Sequence, residues 1–483
     1  MKKNLKNIFY IAFTAAIMLA ALVPLAAMPF YENSAADAEK RELAPKPSLI
    51  TEKGVNSDFG TEFEAFFQDR FAFRSELVNA HAEIMLKVFN SSSEDSVLAG
   101  KDDWLFFRET LGDYCGTELL SDEEIQRLVT VIKLEQQYCN EQGVAYVFAV
   151  APNKNTIYPE YMQPQYVKYN GKTNLDRLNE ALKEAGVNVA DLKTALLEAK
   201  GQCAEGETLY YSADSHWNQK GALVGYNTIM EAANRFSETE YDNYETVKFE
   251  AGSREGDLLK MVLPLDCEVK EFGAKVNISQ EYKYIGRLKS IDDMRIQTKL
   301  SGLTEESEKT GLLMFRDSFG RALIPILSNE FSDAVYLRPT PFNIYGNIEG
   351  KTVVVREIVE RNIPTLLEKA PVVIAGEVQE ADMPYETSLV KITENNSVII
   401  EEEASSGKPC HVYGFYTEKD AGERNYRVFA KQGDKFYEGF PVYEDALTEE
   451  NGEQGADRLG FSFYFEAGDD ADLQEAEYFF CYR

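Results

Sequence analysis

The sequence predicts an α/β protein: a three-layer domain on a mostly parallel sheet, followed by a C-terminal all-β sandwich. Three observations predict it. From about Ser93 onward, short apolar runs closed by turn residues alternate with segments of helical period. Near Met383 the pattern changes to short alternating strands with no helical period. The 483 residues exceed what one core usually organises, and a hydrophobic content of 44% supplies more than one.

The elements follow in order. Lys2, Lys3 and Lys6 precede a nearly uncharged apolar run from Ile8 to Phe30. A positive flank before about 20 apolar residues suits an uncleaved membrane anchor, with a cleaved signal peptide as the competing reading. Either way, the positive-inside rule places everything after Phe30 outside the cytoplasm. Glu32 to Ser48 reads as a stalk. Phe59 to Asn90 has helical period, and Phe63, Phe66, Phe67, Phe71 and Phe73 form an aromatic face expected to pack in a core.

Ser121 to Glu124 is a capping box that opens a helix running to about Asn140. Val144 to Ala151 reads as a buried parallel strand. Asn174 to Ala185 is a helix, Val187 to Val189 a strand, and Gln219 to Phe236 a helix. Residues 237–310 are charged and weakly patterned, as an insertion would be. Strands are expected at Gly311–Phe315, Ala334–Leu337, Thr352–Val355 and Val372–Ile374, with a helix starting at Arg321. The tail reads as strands at 388–392, 398–402, 411–416, 426–430, 435–438, 459–465 and 476–482, with a tight turn at Gln432-Gly433-Asp434. The implied domains are 1–30 (anchor or signal peptide), 31–92 (stalk and helical arm), 93–380 (α/β domain) and 384–483 (all-β domain).

A formal net charge of -31 argues against a nucleic-acid partner, because such a surface repels phosphates, and it fits an acidic, soluble exported surface equally well. Six cysteines without CxxC spacing and only three histidines point to no zinc site. Cys410 and Cys481 either bridge within the tail or stay as buried thiols.

Two segments carry chemistry. Asp214-Ser215-His216-Trp217 lies in a loop before a helix, where open α/β sheets place their sites. The Asp-x-His spacing brings a carboxylate to an imidazole and fixes its tautomer. The competing reading is a structural histidine. The second segment is Leu312 to Ala322, an apolar strand that ends in Asp317-Ser318 before a helix. A serine at such a turn exposes its oxygen beside backbone N–H groups that can hold an oxyanion. Its competing reading is an ordinary helix N-cap. Together the segments supply a nucleophile, a base and a group that orients the base.

In this order, Asp-Ser-His-Trp and then Arg-Asp-Ser-Phe resemble the alginate O-acetyltransferase and DHHW-type branch of the SGNH hydrolase-like superfamily. The flanking segments FEAFFQDRFAFR (63–74), GKDDWLFF (100–107), APNKNTIY (151–158) and VREIVER (355–361) agree. The resemblance spans roughly residues 39–380, and their order is more specific than any single motif. It implies an SGNH-like fold with Ser318 as nucleophile, His216 as general base and Asp214 as its partner. The Gly that commonly precedes Asp-Ser in the superfamily is Arg316 here, which leaves the oxyanion donors undefined beyond the Ser318 N–H. Arg316, Arg321, Lys154 and Arg361 are candidates for holding an acyl oxygen or a sugar, with salt bridging as the competing role. Trp217 is a candidate substrate contact.

The implied activity is acetyl transfer to a surface or secreted polysaccharide, with a membrane-bound O-acyltransferase as partner and no cofactor. A carbohydrate esterase with the same three residues and a non-catalytic glycan-binding protein are the alternatives. Aromatic residues of the tail (Tyr413, Phe415, Tyr416, Phe436, Tyr437) suit either a sugar platform or a core.

Overall fold

The computed structural model describes residues 2–28, 30, 44–51, 54–244, 247–265, 267–304, 310–338, 341–378, 389–392, 398–401, 408–417, 425–442, 458–466, 473 and 476–482. Two compact units result, Met1–Ala99 with Leu259–Cys267, and Gly100–Leu258 with Glu268–Arg483.

The first unit begins with helix α1 (Lys2–Ala27). Its segment Asn7–Ala27, 21 residues of mean hydropathy 2.3, is long and apolar enough to cross a bilayer. Most of the expected stalk, residues 32–43, lies outside the described residues. The aromatic segment forms two helices rather than one, α2 (Phe59–Arg70) and α3 (Arg74–Phe89). They break at Phe73, whose φ of 58° is left-handed. The rings of Phe59, Phe63, Phe67 and Phe71 follow one another along α2 with successive centroids 5.8, 6.3 and 5.6 Å apart, the first two pairs stacked and the last tilted. Phe63 is nevertheless 47% exposed, so this face is not the buried core expected of it.

The second unit is organised by a seven-stranded sheet. Its strands are β1 (Ala145–Ala151), β2 (Val189–Ala190), β3 (Tyr282–Tyr284), β4 (Arg295–Leu300), β5 (Gly311–Phe315), β6 (Asp333–Leu337) and β7 (Val353–Val359). They lie in the order β2-β1-β7-β5-β6-β4-β3. The four pairings from β2 to β6 are parallel, and β4 and β3 extend the edge antiparallel. β1 and β5 are buried at every position, which is why each reads as an unbroken apolar run.

Helices cover both faces. Tyr146, Phe148 and Val150 of β1 share a core with α4 (Asp122–Glu141) and α5 (Asn174–Glu184). Both helices open with capping boxes, at Ser121 and Thr173. Helices α6 (Leu192–Gly201) and α7 (Gln219–Asn234) also contact β1 but add nothing to that core, as expected for the other face. This is the three-layer α/β arrangement the sequence predicts.

Two expectations change. Residues 237–310 are not a patternless insertion, because they supply β3, β4 and a hairpin of Phe249–Glu255 with Glu268–Val276. Their alternation is hidden because charged residues occupy the solvent-facing positions. Val372–Ile374 is not a strand. Val372 makes one isolated bridge to Asn343, and the run is apolar because it packs beside α4.

The C-terminal region is all-β. Leu389–Lys391, Glu477–Tyr482, Tyr426–Gln432 and Lys435–Gly439 form one antiparallel sheet; Val398–Glu401, Cys410–Thr417 and Arg458–Phe465 form a second. Val412 and Phe463 from one and Tyr426, Val428 and Phe480 from the other fill a single apolar core. Tyr413 is buried, and Phe415, Phe436 and Tyr437 are half-buried, so these rings pack rather than form an open platform. The side chain of Tyr416 and the expected domain boundary near Met383 lie outside the described residues.

Candidate active site

His216 and Ser318 come from loops 102 residues apart in sequence, and the sheet brings them together. An antiparallel bridge between Tyr210 and Trp217 closes the first loop. Asn218 then caps α7 by accepting from the Lys220 and Gly221 N–H groups. Ser318 stands just past the carboxyl end of β5, before a short 3-10 turn (Phe319–Ala322) and helix α8 (Ile324–Glu330). Its hydroxyl caps no helix. Instead Ser318 Oγ lies 2.8 Å from His216 Nε2, and His216 Nδ1 lies 2.7 Å from Asp214 Oδ1.

Asp214 is buried and its two oxygens are fully engaged. Oδ1 also accepts the His216 N–H at 2.9 Å, and Oδ2 accepts Arg254 Nη2 at 2.7 Å and the Asp257 N–H at 3.2 Å. Burial pushes this carboxyl up, but the His216 bond, its charge and Arg254 together hold it well below the usual carboxylate range. Burial pushes His216 the other way. Its bonds to Asp214 and Asp257, and their charges, outweigh this and raise it to about 9.

The surroundings hold this geometry. Asp317 accepts the Phe319 N–H at 2.8 Å through Oδ1 and the Val359 N–H at 2.6 Å through Oδ2, which ties the serine turn to the end of β7. The Phe319 ring packs on His216 with centroids 4.8 Å apart. Glu271 Oε1 accepts the Ala213 N–H at 3.0 Å and the Ser212 hydroxyl at 2.8 Å, and its other oxygen meets Arg254 at 3.3 Å. Among the described residues the Ser318 N–H meets no acceptor. Beneath the turn, burial and the Asp317 charge push the Glu357 carboxyl well up.

Gly320 sits where a Cβ would lie 2.7 Å from Arg316 Cβ and 2.8 Å from Glu357 Oε2. Gly320→Ala must therefore shift the serine turn. We expect a stability loss of about 1–3 kcal/mol in urea melts, with turnover falling alongside. Wild-type values in both would show that the turn accommodates a methyl group.

Three residues expected to face substrate point elsewhere. Lys154 is buried, and its Nζ donates to the carbonyls of Tyr211 (3.0 Å), Ser212 (2.9 Å) and Asp214 (2.6 Å). Burial pushes it down to about 8, against the pull of Asp214, Asp257 and Glu271. It clamps the histidine loop. Arg316 is also buried and donates to the carbonyls of Asp317, Ile291 and Asp293, at 3.1, 2.7 and 3.3 Å. Trp217 is 1% exposed, with its Nε1 on the Phe319 carbonyl at 3.0 Å. Arg321 forms an exposed ion pair with Asp292 at 2.8 Å. Arg361 is half-buried over the rings of Phe107 and Phe319, 5.4 and 5.6 Å from their centroids, and stays beside the site.

Arg254, Asp257 and Glu271 have no local signal in the sequence beyond the charged turn Arg254-Glu255-Gly256-Asp257. Asp317 stands in the Asp-Ser motif and Glu357 in VREIVER, neither with its structural role legible there.

Residues 97–298 match the family described as the SGNH hydrolase-like domain of the acetyltransferase AlgX. That match includes Asp214, His216 and Asp257. Curated relatives include probable alginate O-acetylases. Probable alginate O-acetylase AlgJ of Pseudomonas putida is 28% identical over 215 residues, 44% of this chain and 53% of that protein. AlgJ of Pseudomonas aeruginosa is 28% identical over 44% of this chain and 52% of its own length. The chain thus spans about half the length of the curated relatives it matches. Among solved structures, Bacillus cereus PatB1 with a sulfonyl adduct is 19% identical, with a TM-score of 0.43, over 55% of this chain and 95% of that one.

Proposed function

We propose that the protein is an extracytoplasmic, serine-dependent O-acetyltransferase that acylates a hydroxyl of a cell-surface or secreted polysaccharide. The observation that carries this reading is the hydrogen-bonded relay Ser318–His216–Asp214, beside a Ser318 N–H with no protein acceptor among the described residues. Relatives named alginate O-acetylases support acetyl as the acyl group and a polysaccharide as acceptor. The apolar Asn7–Ala27 segment supports export, with the rest of the chain outside and anchored or released. A membrane-bound O-acyltransferase that supplies acetyl groups is the partner this reading implies.

In the first half-reaction, Ser318 Oγ attacks the donor's acetyl carbonyl while neutral His216 takes the hydroxyl proton at Nε2. Asp214 stabilises the resulting imidazolium, and the Ser318 N–H donates to the oxyanion. The intermediate expels the donor's leaving oxygen, which takes the proton from His216, and acetyl-Ser318 remains. A sugar hydroxyl then repeats the sequence in reverse. It gives its proton to His216, attacks the acetyl carbon and leaves as the acetylated sugar, with the proton returning to Ser318. Arg361, beside Phe319, is the remaining cation placed to meet the acceptor. In the same reading the two sheets of the tail form a sandwich accessory domain after residue 383.

Incubating the full chain in detergent micelles with 4-nitrophenyl acetate and a panel of oligosaccharides tests this. Acetylated oligosaccharide, read by mass spectrometry, is the expected product. Free acetate alone would reject transfer in favour of ester hydrolysis, and neither product would reject acyl chemistry.

A further inference from the structure

His216 has a second carboxylate at its Nδ1 edge. Asp257 Oδ2 lies 3.3 Å from His216 Nδ1, in addition to Asp214 Oδ1 at 2.7 Å. The Ser215 hydroxyl bridges them, 2.5 Å from Asp257 Oδ2 and 3.2 Å from His216 Nδ1. Three oxygens thus converge on one ring nitrogen. This assigns its proton to Nδ1 and leaves Nε2, in the neutral ring, to accept from Ser318.

The local charges show why the second acid matters. Asp214 shares its negative charge with Arg254, which bonds Oδ2 and also meets Glu271. Among the described residues no cation bonds Asp257 in this way. Its Oδ1 accepts the N–H groups of Ser215 at 2.7 Å and Leu258 at 2.6 Å, so the side chain is held by neutral donors. A carboxylate anchored this way keeps its charge directed at the imidazole. The other charged groups around the ring are Lys154, whose Nζ is bonded to the Asp214 carbonyl, and Arg361, across the Phe319 ring. Both cations oppose protonation of His216, so the anionic pair must outweigh them.

We propose that Asp257 is a positioning residue which, with Asp214, sets the proton affinity of His216 and thereby the pH at which the base becomes available. This rests on the catalytic reading of His216 given above. An imidazole held by two carboxylates keeps its proton to higher pH than one held by a single carboxylate, and it becomes a base only above that point. The raised His216 value is consistent with that arrangement.

The test is Asp257→Asn in the full chain. The amide keeps an acceptor for the Ser215 and Leu258 N–H groups and offers an N–H to the Ser215 hydroxyl; the charge and the acceptor at Oδ2 are lost. With three histidines in the sequence, the His216 ring signals can be assigned by NMR from a His216→Gln difference spectrum and titrated. We expect the His216 midpoint to fall by about one pH unit in Asp257→Asn. The acid limb of kcat/KM for acetyl-ester turnover should move down by the same amount. Asp257→Glu, which restores the charge, should titrate close to wild type. An unmoved midpoint in Asp257→Asn overturns the proposal, as does an equal shift in Asp257→Glu. The NMR midpoint needs no substrate. If it shifts in a protein without acyl turnover, the enzymatic reading fails and the role of Asp257 on His216 stands.

Discussion

Ser318→Ala is expected to lower acetyl-ester turnover by at least about 10³-fold while leaving thermal stability unchanged. Among the described residues the side chain carries one hydrogen bond, to His216, and it caps no helix. Removing it costs no buried partner, since His216 keeps its carboxylates. The backbone N–H that would hold the oxyanion also stays, so residual activity above the water reaction should persist. Two measurements check this: the rate with 4-nitrophenyl acetate, and the intact mass after a brief exposure to donor. The wild type should gain one acetyl group and the variant none. A variant that still acquires the acetyl mass at full rate would remove Ser318 from the mechanism.

The second large effect concerns stability. Glu135 of α4 and Arg356 of β7 form an ion pair at 0% and 1% side-chain exposure, under the middle of the sheet. The Tyr146 hydroxyl donates to the same carboxylate, and the guanidinium lies 4.3 Å from the centre of the Phe342 ring. Burial pushes Arg356 down to about 9, still above neutrality. Glu135→Leu therefore leaves a buried cation without its anion. The expected loss is about 3–5 kcal/mol in urea unfolding, and Glu135→Leu/Arg356→Met should recover most of it. A single variant as stable as wild type, or a double variant no better than the single, would show that the pair is not balanced this way.

That ion pair also marks where the sequence became hard to read. Strands buried on both faces, Ala145–Ala151 and Gly311–Phe315, were visible because nothing polar interrupts them. β7 read as ending at Val355 because Arg356 and Glu357 follow, yet all seven of its positions are buried. The pairing with Glu135 and the raised proton affinity of Glu357 make burial of those charges tolerable, and neither is visible along the chain. Edge strands β3 and β4 were lost for the opposite reason, since their exposed sides carry Lys283, Arg295 and Lys299.

The relay residues were legible because each sits in a short motif with its own local logic. Arg254, Asp257 and Glu271 reach His216 and its loop from a hairpin and its connection about 40–60 residues downstream, a distance no local pattern encodes. Lys154 shows the converse limit. A lysine in a motif near a site reads as a substrate contact, whereas three inward-facing carbonyls decide that it is a clamp.

The strand order of the sheet carries a consequence for how the chain matures. β7 lies between β1 and β5, and it is the last of the seven strands to be synthesised. Ala145 waits about 200 residues for Val353, its partner in register. Until then β1 and β5 each present an open apolar edge, and neither can complete its pairing from local contacts. A nascent chain is therefore most vulnerable to aggregation and proteolysis just before residue 353 emerges. Truncation short of that point should leave no stable α/β core.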